Sequence, residues 1–287
     1  MRTSILWITC LLVALLSSVP LARGQEEDTA DPAPQSDSAA TEKPDSKDED
    51  QPKDDEKPET EDEEKPESKP KEQPSEEAQS EEAAGKQQDS AAAVEKLGGR
   101  VRHNEGAEAA KREIVEVTLA DADLKNDDLK ALADITSLQR LYLGHTSIGD
   151  EALEHLANLS ALKSLALNST TVSDAGLKQV AKHEGLEALY LGGTKVTDAG
   201  LEKIAGMKNL RKLFLGGTAI GDEGLAKLKD LQSLETLFLD GTKVTDAGLD
   251  HLAGLKNLQK LFVRNTAVTQ QGADKLEQKV KGLEVHR

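Results

Sequence analysis

The chain has 287 residues, a formal net charge of −17 and a single cysteine. One cysteine excludes an internal disulfide framework and a thiolate metal site, and the lack of any basic excess, in the repeats as in the whole chain, argues against the footprint of a nucleic-acid binder. The charge is unevenly placed: residues 25–90 hold 25 Asp/Glu against 8 Lys/Arg, a net of −17, so everything outside that stretch is neutral overall.

Residues 1–24 read as a secretory signal peptide. Arg2 supplies the positive end, Ile5 to Leu16 the apolar core, and Ala22-Arg23-Gly24 the small residues before a cut at Gln25. The apolar run is short against the roughly 20 residues of a membrane-spanning helix, so a membrane association is expected only if the segment is not cleaved. The cysteine, Cys10, lies inside this segment.

Residues 25–90 contain eight of the nine prolines and repeat a Lys-Pro-acid theme at Lys43-Pro44-Asp45, Lys57-Pro58-Glu59 and Lys65-Pro66-Glu67. So little apolar surface cannot offset the entropy of ordering, and a disordered acidic spacer is predicted. From Ala91 the composition changes. Ala91 to Leu97 predict one or two helical turns, Gly98-Gly99 ends them, and Arg100-Val101-Arg102 predict a short edge strand. We assign 91–113 to an N-terminal cap, because the first unit of a stacked array must have its exposed core face covered.

Residues 114–287 fall into register at a period of 24, as seven units and a shortened terminal strand. One aliphatic column starts the strand pattern (Ile114, Leu138, Leu162, Leu186, Leu210, Leu234, Leu258). A second follows three residues on (Val117 to Leu261), and a third two further (Leu119 to Val263). A threonine column comes next (146, 170, 194, 218, 242, 266), then another aliphatic column from Leu124 to Val268. In a strand alternate residues share a side, so the second and third columns point inward. The threonine turns the chain with a hydroxyl able to satisfy backbone groups. Thr197-Asp198-Ala199-Gly200-Leu201 then predicts a helix start, with Thr197 as N-cap and Asp198 against the positive helix end. One unit cannot bury its leucines; a stack can.

Leu138-x-x-Leu141-x-Leu143-x-x-Thr146-x-Ile148 resembles the leucine-rich repeat pattern, with Thr where the family often has Asn or Cys. The Thr-Asp-Ala-Gly-Leu stretches at 197–201 and 245–249 look like the bacterial versions found in secreted planctomycete-type proteins. The resemblance implies an α/β fold, a horseshoe-shaped solenoid with a parallel concave β-sheet and outer helices, preceded by the disordered acidic segment. Toward the C-terminus Ala273 replaces leucine, Lys279 replaces an aliphatic residue, and the pattern Val280-x-x-Leu283-x-Val285 arrives two residues early, which reads as an end cap.

The residue between the two inward columns points outward, onto the concave face: Thr118, Tyr142, Ala166, Tyr190, Phe214, Phe238 and Phe262, which include every Tyr and Phe of the chain. Strands about 4.8 Å apart would make Tyr190 to Phe262 a continuous stripe. Arg140, Lys212, Lys260 and Arg264 flank it, and glycines at 144, 192 and 216 leave room beside it. Such a face suits a protein or peptide with acidic groups, or a glycan; stacked aromatics can equally serve as a cross-strand ladder stabilising the sheet. The six histidines fall in different repeat positions without metal-ligand spacing. His145 lies near Ser169 and Asp121 across neighbouring strands, but no nucleophile turn or oxyanion site accompanies them. His183 interrupts an aliphatic column as a packing residue. The sequence therefore predicts a non-enzymatic recognition module of the cell envelope or exterior, with no cofactor or metal. Its partner would be a protein, peptide or envelope polymer and not a nucleic acid; the alternative is a structural or spacer protein without a discrete ligand.

Overall fold

Alternation of inward leucines with outward polar or aromatic residues dictates very short strands, and in the computed structural model each 24-residue unit contributes one. The structure describes residues 76–105 and 112–287, so the expected signal peptide and spacer as far as residue 75 lie outside the described residues. Helix α1 (Glu76–Lys96) and strand β1 (Arg100–His103) precede the array. The strands that follow are β2 (Ile114–Thr118), β3 (Arg140–Tyr142), β4 (Ser164–Ala166), β5 (Ala188–Tyr190), β6 (Lys212–Phe214), β7 (Thr236–Phe238), β8 (Lys260–Phe262) and β9 (Glu284–His286). They form one nine-stranded sheet in chain order, antiparallel at β1–β2 and parallel throughout the rest. Pairing follows the 24-residue step, as in Leu141 opposite Leu165 and Leu213 opposite Leu237.

Between strands run 3-10 turns (Asn126–Leu132, Asp150–Leu156) and, later, short helices: α2 (Leu177–Val180), α3 (Asp198–Ile204), α4 (Asp222–Lys227) and α5 (Asp246–Leu249), the last continued by a 3-10 turn (Asp250–Gly254). Helix α6 (Gln270–Lys279) is the last. The four predicted aliphatic columns form one continuous core; Leu141, Leu165, Leu189, Leu213, Leu237 and Leu261 are fully buried. Each threonine hydroxyl donates to the carbonyl three residues earlier, from Thr146 to Leu143 O at 2.7 Å through Thr266 to Val263 O at 2.7 Å. A buried polar group is thus satisfied inside its own turn.

The aspartate that recurs at or just before the helix or turn of successive units, from Asp150 to Asp246, does more than face a helix dipole. The two oxygens of Asp174 accept the Thr197 backbone N–H at 2.7 Å and its hydroxyl at 2.6 Å, and Asp222 does the same for Thr245. Asp150 binds Ser173 and Asp246 binds Thr269 in the same way. Thr197 stands at the N-cap position and spends its hydroxyl proton on the preceding unit without capping its own helix. Thr245 and Thr269, by contrast, donate to Asp222 and Asp246 and also accept the Ala247 and Gly272 N–H groups as caps. The glycine of Asp-Ala-Gly-Leu follows from the same clasp. A Cβ at Gly200 would collide with the carboxylate of Asp174, and one at Gly224 with that of Asp198.

Both ends differ from the sequence reading. Helix α1 begins at Glu76, so residues 76–90, assigned by composition to the disordered spacer, are helical. Their docking explains it. Val94 is fully buried, Ser90 is buried, and Gln87 accepts the Ile114 N–H at 3.1 Å and donates to Ser137 Oγ at 3.3 Å. At the other end β9 is not early: Val285 lies opposite Leu261 and His286 opposite Phe262, 24 residues on. The offset sits before the strand, where Val280 takes the core place expected at Lys279; Leu283 N bonds Val280 O as Leu258 N bonds Leu255 O. Glu277 Oε1 accepts the Val285 N–H at 2.8 Å, satisfying one backbone donor on the outer edge of β9. An edge strand is otherwise a template for pairing with another chain.

Candidate functional site

The outward column is set by strand register alone. Thr118, Tyr142, Ala166, Tyr190, Phe214, Phe238, Phe262 and His286 stand opposite one another across successive strands. From Tyr190 onward the rings stack face to face, with centroids 4.3, 4.2, 3.9 and 4.5 Å apart and interplanar angles of 22°, 13°, 3° and 16°. These steps are shorter than the strand spacing of about 4.8 Å, as they must be where side chains converge on the concave side of a curved sheet. His286 is the fifth ring. The sequence reading missed it by placing the last strand out of step, although 24 added to 262 gives its position.

Stacking changes what the column shows to solvent. Each ring covers its neighbour's faces, and the three phenylalanines, stacked on both sides, are half-buried; Tyr190, stacked on one side only, is nevertheless 7% exposed. Along this outward column the edges of the rings, not their faces, form the surface. Burial, then the nearby Tyr142 phenol, push the Tyr190 hydroxyl up to about 12. Burial and the Glu116 carboxylate also raise Tyr142, with Arg140 and Arg102 opposing. Tyr142 makes no ring stack among the described residues, because Ala166 stands between it and Tyr190.

The flanking bases divide into two kinds. Arg140 is engaged: its Nε lies 2.6 Å from Glu116 Oε2, which also takes Arg102 Nη2 at 2.7 Å. Burial works against the Glu116 carboxylate, but hydrogen bonds from Arg140 and Arg102 hold its pKa below the usual range. Lys212 is partly exposed and Lys260 exposed, and among the described residues no carboxylate pairs with either. The Arg264 guanidinium sits 6.0 Å from the Phe262 ring centroid, at the limit of a cation–π contact. The column-side glycines serve the backbone first: a Cβ at Gly192 or Gly216 would stand 3.2 Å from the carbonyl oxygen of the next strand.

Asp121, His145 and Ser169 come together because they share one turn position, with φ of 62°, 59° and 55°; Gly193, Gly217 and Gly241 occupy it in later units. Left-handed backbone, which Asp, Asn and His tolerate better than most residues, accounts for their alignment. His183 is buried in the aliphatic column, and burial lowers its pKa, partly offset by a hydrogen bond to the Leu159 backbone. On the strand-entry edge, Arg211 pairs with Glu235 at 2.6 Å and Lys163 with Glu187 at 3.4 Å, which leaves that polar surface neutralised by its own residues. Among the described residues no three His, Cys, Asp or Glu converge as a metal ion would need, and no helix is long and apolar enough to cross a membrane.

A stacked parallel sheet with one short helix or turn per 24-residue unit is the leucine-rich-repeat fold. The sequence pattern described as Leucine Rich repeat matches residues 135–157, 186–205 and 206–229. Internalin C2 of Listeria monocytogenes is similar in structure, with a TM-score of 0.50 and 20% identity over 68% of this chain and 90% of that one. Another internalin of the same organism gives 0.38 and 22% over 57% of each chain. A leucine-rich-repeat protein of Leptospira interrogans gives 0.43 and 21% over 55% of this chain and 45% of its own. No curated protein matches the chain significantly in sequence.

Proposed function

We propose that this is a non-enzymatic recognition protein of the bacterial envelope or exterior, binding a protein or peptide through the open face of the sheet. The observation that carries the reading is the half-buried ring column beside Lys212, Lys260 and Arg264, the first two without a carboxylate partner among the described residues. Aromatic and arginine side chains are favoured interface anchors. Leucine-rich-repeat domains typically mediate protein recognition, and the solenoid offers a long, pre-organised surface. Export rests on the signal-like residues 1–24, and the planctomycete-type likeness on the Thr-Asp-Ala-Gly-Leu stretches. Residues Tyr142, Tyr190, Phe214, Phe238, Phe262, Lys212, Lys260 and Arg264 form the proposed contact surface; Arg140 contributes as a partner of Glu116.

The test is capture of partners from the envelope fraction of the source cells by the full chain, by Phe214→Ser, by Phe238→Ser and by the double variant. Circular dichroism at 20 °C verifies that each remains folded. Capture should fall with one ring lost and vanish with two; undiminished capture by the folded double variant overturns the reading. The tight stacking favours a second reading, a stabilising ladder in a spacer protein without a ligand. That reading gains if the wild type captures nothing while both variants melt at lower temperature.

A further inference from the structure

Resting on the recognition reading above, we propose that the ligand is an acidic polypeptide lying across β6, β7 and β8 in a polyproline-II-like conformation, with a carboxylate at every third residue. Three observations carry this.

The first is the charge left without a partner. Most anions of this face are engaged: Glu116 by Arg102 and Arg140, and Asp240 through the Arg264 backbone N–H at 2.7 Å. Among the described residues Lys212 and Lys260 have no ion-pair partner, and Arg264 is exposed. Glu284, opposite Lys260 on β9, marks where the basic run ends.

The second is which part of each ring is exposed. Rings stacked at 3.9 to 4.3 Å hide their electron-rich faces in one another. The ring edges left outward carry the positive side of the aromatic quadrupole. A ligand rich in carboxylates and carbonyl oxygens meets both the edges and the lysines favourably, whereas a basic ligand meets neither.

The third is spacing. Lys212, Thr236 and Lys260 are opposite one another on adjacent strands, so the two lysines stand two strand spacings apart, about 9.6 Å at their backbones. Side chains on this face converge, as the ring steps of 4.2 and 3.9 Å show, and the flexible lysine stems set the ammonium separation around that spacing. A polyproline II segment brings a side chain back to the same side every third residue, after about 9.3 Å. An extended β-strand does so every second residue, at roughly 6.7 Å, and two helical turns take about 10.8 Å with a body 10 Å or more across. Small Thr236 leaves the gap between the lysines open, and Phe238 lies beside it to receive the intervening apolar residues.

The experiment uses the full chain and labelled synthetic peptides, with fluorescence anisotropy as readout. The probes are (Glu-Pro-Leu)5, (Gln-Pro-Leu)5, (Lys-Pro-Leu)5 and a peptide of the first composition with its five glutamates contiguous. The glutamate repeat should bind, weaken with added salt, and lose at least tenfold in affinity on the Lys212→Glu/Lys260→Glu variant; Lys243→Glu, away from the column, should leave it unchanged. The glutamine repeat should bind at least tenfold more weakly and the lysine repeat not at all. Equal binding of the glutamate and lysine repeats, indifference to the double reversal, or tighter competition by a uronic-acid polysaccharide overturns the proposal. Equal binding of the contiguous-glutamate peptide overturns the every-third-residue geometry. If no peptide binds while capture still depends on Phe214 and Phe238, this inference fails and the recognition reading stands.

Discussion

The two halves of the open face share one backbone and one register, yet they differ in chemistry. Over β2 to β4 the outward column is Thr118, Tyr142 and Ala166, and its charges are closed on themselves in the Arg102–Glu116–Arg140 cluster. Over β5 to β9 the column is a run of five stacked rings, and the lysines beside it have no carboxylate partner among the described residues. Since both halves pair their strands at the same 24-residue step over the same leucine core, the outward residues are not what makes the solenoid. The core specifies the fold, and the outward columns are free to carry something else. The C-terminal half carries the surface proposed for contact, and the N-terminal half is neutralised by its own ion pairs.

The largest way to break that comparison is to remove a ring from the middle of the stack. A fully buried Phe→Ala change costs about 3–5 kcal/mol; Phe238 is half-buried and loses two stacked neighbours. Phe238→Ala should therefore destabilise by about 2–3 kcal/mol, whereas Thr118→Ala at the same column position of β2 should stay within about 0.5 kcal/mol. Urea denaturation measures both. A double-mutant cycle on Phe214 and Phe238 should show coupling of about 0.5–1.5 kcal/mol. No coupling would mean that the rings lie side by side without supporting one another.

Much of this was legible before any coordinates. The 24-residue period gave the strands, the inward leucines, the threonine turn and the aromatic column, because each is a local consequence of side-chain alternation. What the sequence hid were interactions that join one unit to the next. Asp198 reads locally as a charge at a helix start, and its bond to the Gly221 N–H at 2.7 Å appears only when units are stacked. Arg140 reads as a free flanking base, but Glu116 lies opposite it on the neighbouring strand. Helix α1 was placed too late because composition records how few apolar residues precede Val94, and not that Gln87 finds a partner at Ile114 N. His286 was lost through the 25-residue step of Val280 and Leu283, which the strand itself does not follow.

Alkali sharpens the comparison at the boundary between the halves, where the chain's only two tyrosines flank Ala166. The Tyr190 phenol is raised from 10 to about 12, chiefly by burial. A group raised in the folded state contributes stability that is whole below pH 10 and is lost as pH climbs through its folded value. The expected loss is up to about 2 kcal/mol between pH 10 and 12. Tyr190→Phe should remove most of that alkaline decline, and ultraviolet titration of the variant should show Tyr142 alone ionising, above 10. A Tyr190 midpoint at 10 would show that the start of the ring column is open to water.

Acid probes the other half, and its effect should be the smallest. Glu116 is held below 4.5 because hydrogen bonds and charges from Arg140 and Arg102 outweigh the burial that opposes them. A carboxyl lowered in the folded state contributes stability that is whole above the unfolded value and disappears as pH falls through the folded one. The window is therefore below pH 4.5, the reverse of the tyrosine case. All three side chains keep contact with water, at 22% exposure for Glu116, 26% for Arg140 and 52% for Arg102, so solvent screens the pairs. Glu116→Gln should cost about 0.5–1 kcal/mol at pH 7 and should flatten the acid limb of the stability curve without altering the alkaline one. It should also leave Arg102 and Arg140 without their carboxylate and make β1–β3 a second basic patch beside that of β6–β8. If the acidic peptide then gained affinity, charge alone would be steering it; unchanged affinity would mean that the ring column, which β2–β4 lack, is required for the contact.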